Sequence, residues 1–136
     1  MNGREQRDRA LEIIARLPAE TTVPVQALGE LFAILVKKAG KSRAKARDAV
    51  LAWRETFAIA DTTPEVITSA TDIAVAHRMA FWDSVMLAAS ASAGARLLLS
   101  EDFQEGFTWG GTMIVNPMRP RLHPALEAVL KPTDRL

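Results

Sequence analysis

The sequence predicts an α/β protein with a parallel sheet flanked by helices. Three observations lead there. Apolar residues recur at helical spacing in several segments. Short β-like runs stand between those segments, and alternation of this kind is the signature of crossover units. The last two runs, Arg96–Leu99 and Thr112–Asn116, are near-continuously apolar, as strands covered on both faces are.

The elements follow in order. Arg4–Leu17 is a helix, with Ala10, Leu11, Ile13, Ile14 and Leu17 on one stripe, and Pro18 closes it. Thr21–Val25 is a short strand that Pro24 limits to a few residues. Gln26–Lys38 is a second helix, ended by Gly40. Ser42 caps a third that runs to about Thr56. Phe57–Ala60 is a strand candidate. Thr63-Pro64-Glu65 opens the next helix, because threonine caps, proline fits the first turn and glutamate suits the positive end of the dipole. That helix reaches about His77. Phe81–Ala93 is another, stopped by Gly94. After the two apolar strands, the stretch from Arg119 to Leu136 holds three prolines and one short helix following Pro124.

A length of 136 residues fits one domain, large enough to bury a real core. The net charge of +1 provides no global field for a polyanion, so any attraction to nucleic acid must be local. With no cysteine, disulfides and thiolate metal sites are excluded. Met1–Arg9 is too polar for a signal peptide, and no apolar run approaches the ~18 residues of a membrane span. The expected location is the cytoplasm, with no membrane partner.

Three carboxylates stand out by position. Glu30 borders the apolar stripe of Ala27, Leu28, Leu31 and Leu35. Asp83 opens an apolar helix directly after Phe81-Trp82, and Asp102 comes just past the strand Leu97-Leu98-Leu99. In parallel sheets ligands bind beyond the carboxyl ends of the strands, and hard divalent cations take oxygen ligands. Each residue has a plainer reading: a solvated helix edge for Glu30, a dipole partner for Asp83, a turn former for Asp102. Pattern alone stops at an α/β domain with an acidic metal site as one option.

A resemblance carries the reading further. Met79-Ala80-Phe81-Trp82-Asp83-Ser84-Val85-Met86-Leu87-Ala88-Ala89, Gly94, Leu98-Leu99-Ser100-Glu101-Asp102-Phe103-Gln104, Gly110-Gly111 and Ile114-Val115-Asn116-Pro117 resemble the C-terminal half of a bacterial PIN domain. Val25-Gln26-Ala27-Leu28-Gly29-Glu30-Leu31-Phe32 resembles a second block of the VapC-like toxin branch. The similarity spans about residues 4–118, leaving 119–136 as a C-terminal tail. It implies a three-layer fold with a parallel sheet of about four strands. It also implies an Mg²⁺- or Mn²⁺-dependent endoribonuclease that is the toxin of a toxin–antitoxin pair, with RNA, an antitoxin and a second copy of itself as partners. Glu30, Asp83 and Asp102 match the family's second, third and fourth acidic positions, both as catalytic residues and as metal ligands.

Two departures accompany the match. The family's first acid sits in an Asp-Thr/Ser-Asn motif on a central N-terminal strand, and nothing in this sequence matches it; Asp8 lies within a helical stripe and is not assigned. Ala80 stands where a serine often caps the helix. The expectation is therefore a sheet with its central first strand missing, a weak metal site and poor nuclease activity. The alternative is a non-catalytic module that binds a partner or itself. Whether the two strands flanking the gap close up, borrow a strand or belong to a longer protein is left open. Dimerisation is expected, with Leu122, Leu126, Val129 and Leu130 of the tail as contributors.

The remaining features receive plain readings. Lys37, Lys38, Lys41, Arg43, Lys45 and Arg47 are an RNA-phosphate patch or, more simply, a solvated helix tip. Trp53, Trp82 and Trp109 are stacking platforms for bases or core residues; Trp53 and Trp82 are expected in the core, with Trp109 undecided. His77 and His123 are assigned no catalytic role. Gly110-Gly111 is a turn before a strand and not a phosphate loop, because no helix follows it.

Overall fold

The computed structural model describes residues 3–18 and 21–132. Its elements run α1 (Gly3–Ala15), β1 (Thr22–Pro24), α2 (Val25–Lys37), α3 (Arg43–Thr56), β2 (Ala58–Ala60), α4 (Pro64–His77), α5 (Phe81–Ser92), β3 (Leu97–Leu99), β4 (Thr108–Trp109), β5 (Thr112–Val115) and α6 (Pro124–Val129). The expected caps are in place. Ser42 accepts a hydrogen bond from the Lys45 amide, and Thr63 accepts one from the Val66 amide, each satisfying an otherwise orphan donor. Ala80 caps α5 in extended geometry with no side-chain bond to offer.

The fold is α/β, as expected, but its sheet differs from a single run of four parallel strands. It comes in two pieces. β1 pairs with β2 in parallel, and β3 pairs with β5 in parallel. The short β4 adds to β5 in antiparallel sense. The turn between them is Gly110-Gly111, both at positive φ, which is the geometry of a tight two-residue hairpin. β1 and β3 do not pair with each other, so among the described residues each has a free edge.

Register shows what those edges expose. Thr21 bonds toward β2, so Val23 does too, and Thr22 and Pro24 face the open side. Arg96 and Ser100 bond toward β5, so Leu97 and Leu99 point their backbone groups away from it. Pro24 has no N–H, which removes one unpaired donor from the β1 edge.

Helices cover the strands in two layers. One cluster joins Ala60 of β2, Val66, Ala70 and Ile73 of α4, Val85, Leu87, Ala88 and Ala89 of α5, and Ile114 of β5. The second joins Ile13 of α1, Val115 of β5, and Leu126 and Leu130 at α6. Leu98 leans on the first cluster, and Leu97 and Leu99 on the second, as the two-residue period of a strand requires. All three leucines of β3 are nonetheless only half-buried, against the expected full burial, because no strand covers the outer edge.

The C-terminal segment is built into this core. Leu126 is fully buried, Leu130 nearly so, and Leu122 packs against them. Arg9 donates from Nε to the Pro117 carbonyl at 2.9 Å, and Arg16 from Nε to the Lys131 carbonyl at 2.8 Å, tying α1 to the segment. The leucines expected to serve a dimer therefore fill the protein's own interior, and Val129 alone of the four is exposed.

Candidate active site

Each expected acid occupies a position that its local structure explains. β1 ends at Pro24 and α2 starts at once, so Glu30 lies in the second turn of α2 while Leu28 turns inward. Asp83 is in the first turn of α5, half-exposed. Asp102 lies three residues beyond the end of β3, in a loop held by its own amide bonding the Ser100 hydroxyl and by Phe103 packing on the core.

The three carboxylates feel one another. Partial burial raises the pKa of Glu30 above the ordinary carboxylate value, and the negative charges of Asp83 and Asp102 raise it further. Burial likewise raises Asp83, followed by the charge of Asp102. None of the three carboxylates has a hydrogen-bond donor or a cation as partner among the described residues. Glu105 is a contrast: it accepts from the Asn116 amide at 2.7 Å and lies 3.8 Å from Arg119, so the fold itself compensates its charge. Like charges gathered without compensation destabilise a fold and suit a site that takes a cation.

For a metal, the donor chemistry fits. Carboxylate oxygens are what Mg²⁺ and Mn²⁺ prefer. Among the described residues no group of three or more acidic or histidine side chains is drawn close enough to hold an ion. The arrangement is a shared electrostatic field, not a closed coordination sphere.

Comparison with known proteins agrees with this architecture. The sequence matches the PIN domain family over residues 1–104. This chain belongs to the PIN domain family. The PIN fold is also seen in the crystal structure of VapC20 from Mycobacterium tuberculosis, a toxin described as cleaving the sarcin–ricin loop. The two share 21% identity over 68% of this chain and 72% of that one, with a TM-score of 0.56, which establishes likeness of fold. No curated protein sequence matches significantly.

Around the acids, this PIN domain differs from expectation at one residue above all. Trp82, expected in the core, is 60% exposed, and its neighbour Phe81 is 38% exposed. Trp53 is half-buried edge-on to Phe57, and Trp109 is half-buried in β4 against the core. His123 caps α6, accepting through Nδ1 from the Ala125 amide, while His77 packs edge-on to Phe107. Every member of the basic cluster on the α2–α3 hairpin is exposed, and Arg47 pairs with the adjacent Asp48.

Gln26 went unremarked in the sequence. It lies one turn before Glu30 on the same face of α2, and its amide nitrogen donates to the Thr62 hydroxyl. Its Oε1 is buried with no donor among the described residues. Only the folded proximity of α2 to the β2–α4 loop makes it notable.

Proposed function

We propose that this PIN domain is a ribonuclease in which Glu30, Asp83 and Asp102 hold a divalent cation, Mg²⁺ or Mn²⁺, against the phosphate backbone of RNA. The observation that carries the reading is three neighbouring carboxylates with no compensating partner among the described residues. Burial and the neighbouring carboxylates raise the pKa of Glu30 and Asp83, and a cation held between them would relieve that repulsion. Asp102, on the loop after β3, would supply the third carboxylate. When bound, the ion lowers the pKa of a water and offsets charge on the phosphoryl oxygens. The three side chains would hold the ion to the protein.

The protein's place as a toxin with an antitoxin partner, and its self-association, belong to the same proposal. A shallow apolar groove between α2 and α3, lined by Leu28, Phe32, Val50 and Leu51, is the surface we assign to self-association. Light scattering over a dilution series should give a dimer that Phe32→Ser shifts toward monomer. A wild-type monomer at every concentration would remove the dimer from the proposal.

The competing reading is a non-catalytic module, favoured because no group of three or more acidic or histidine side chains among the described residues is drawn close enough to hold an ion. Cleavage of labelled single-stranded RNA at excess Mg²⁺ or Mn²⁺ decides between them. The ribonuclease reading expects slow, metal-dependent cutting that chelation stops and Asp83→Asn reduces by about 10² or more. Cutting that Asp83→Asn leaves intact would remove Asp83 from the site, and no cutting with either metal favours the module.

A further inference from the structure

The first turn of α5 carries an arrangement that the acidic site does not use. From Ser84 onward nearly every residue of the helix is buried, including Val85, Leu87, Ala88 and Ala89. Its opening residues emerge instead. Trp82 is largely in water and Phe81 partly so, with ring centroids 5.0 Å apart and planes at 67°. An edge-to-face pair of this kind supports the indole from one side and leaves the rest of its surface open. Trp82 also directly precedes Asp83 across a trans peptide, so their Cα atoms are about 3.8 Å apart.

Electrostatics indicates what such a surface is for. RNA is a polyanion, and the three uncompensated carboxylates repel it. The molecule's net charge of +1 provides almost no countervailing field. A contact that does not depend on charge would add to what a bound cation supplies at this site. Stacking of an unpaired base on an aromatic face is such a contact, and it tolerates any base because every base has a π-face.

We propose that Trp82, supported by Phe81, is a stacking platform that holds one unpaired nucleobase of single-stranded RNA beside the acidic trio. The proposal rests on the ribonuclease reading above and adds a base-binding subsite to it. It makes Trp82 a substrate-positioning residue: the stacked base fixes which phosphate lies next to Asp83. Because stacking reads a face and not an edge, the subsite selects unpaired over paired nucleotides and discriminates weakly among the bases.

The test is fluorescence anisotropy of short labelled single-stranded RNA with the full chain, run in parallel on an oligonucleotide carrying one abasic position. Circular dichroism checks that each variant folds. Trp82→Ala should weaken binding by about tenfold, and Trp82→Phe should recover most of it. In the wild type, an abasic position at the site of stacking should cause a similar loss. In Trp82→Ala that same abasic position should cause little further loss, because the base and the indole are lost as one interaction. Wild-type binding that Trp82→Ala leaves unchanged overturns the platform while the ribonuclease reading stands. No RNA binding by the wild type overturns both. If Trp82→Ala lowers affinity equally for intact and abasic RNA and also converts a dimer to a monomer in light scattering, the indole serves a protein interface and the proposal is wrong.

Discussion

Replacing Glu30 by glutamine should make the metal-free protein more stable, the reverse of what most substitutions do. Glu30 carries three destabilising influences in its ionised form: partial burial and the charges of Asp83 and Asp102. No hydrogen bond or ion pair to its carboxylate offsets them among the described residues. Glutamine keeps the shape and removes two pairwise repulsions. The side chain is largely exposed, so solvent screens each repulsion to a fraction of 1 kcal/mol, and the gain should be about 0.5–1 kcal/mol. In a domain of this size that is a rise in Tm of about 2–4 °C.

The sign with pH follows from linkage. A raised carboxyl pKa means that the folded state holds more protons than the unfolded chain between the ordinary and the raised value. Wild-type stability therefore falls as pH rises through that window, and the penalty is full above it. The advantage of Glu30→Gln should accordingly be present at neutral pH, vanish below the ordinary carboxylate range and shrink in high salt. Excess Mg²⁺ should reverse the order by stabilising the wild type more than the variant. Calorimetry at three pH values, with and without Mg²⁺, measures all of this. A lower Tm for Glu30→Gln at neutral pH without metal would mean that the carboxylate has a stabilising partner, and the argument for an uncompensated acidic site would collapse.

Other substitutions probe the frame around the site. Ala80→Ser places a hydroxyl at an extended N-cap that now offers none, and urea denaturation should register a gain of about 1 kcal/mol. Leu126→Ala opens a cavity where α6 meets Ile13 and Val115 and should cost about 3 kcal/mol; a loss under about 1 kcal/mol would argue that the C-terminal segment is only loosely attached. Gly110→Ala puts a Cβ at φ +57 and 3.0 Å from the Ala91 methyl, so it should cost about 1–2 kcal/mol by the same denaturation measurement. In hydrogen exchange, the Leu98 amide, bonded into β5, should exchange more slowly than those of Leu97 and Leu99 on the free edge.

The sequence by itself determined the helices, their caps and the α/β class. Those properties are local: Ser42 and Thr63 cap because their hydroxyls reach amides three residues on, and the apolar stripes of α1, α2 and α4 repeat within a few turns. The resemblance to PIN domains likewise lay in short blocks, and it picked out Glu30, Asp83 and Asp102 before any fold was known. Tertiary structure decided what depends on distant partners. The two-residue strand β4 is too short to leave a pattern, although Gly110-Gly111 marked its hairpin. Strand pairing separated β1 from β3, and half-exposed leucines followed along β3. The leucines of the C-terminal segment were expected at a dimer interface until α1 was seen to receive Leu126 and Leu130. Trp82 read as core because large apolar side chains usually are, and only the emergence of the first turn of α5 beside three charges put it in water. Periodicity tells which face of a helix is apolar; whether anything covers that face depends on residues far away in the chain, and no local pattern records it.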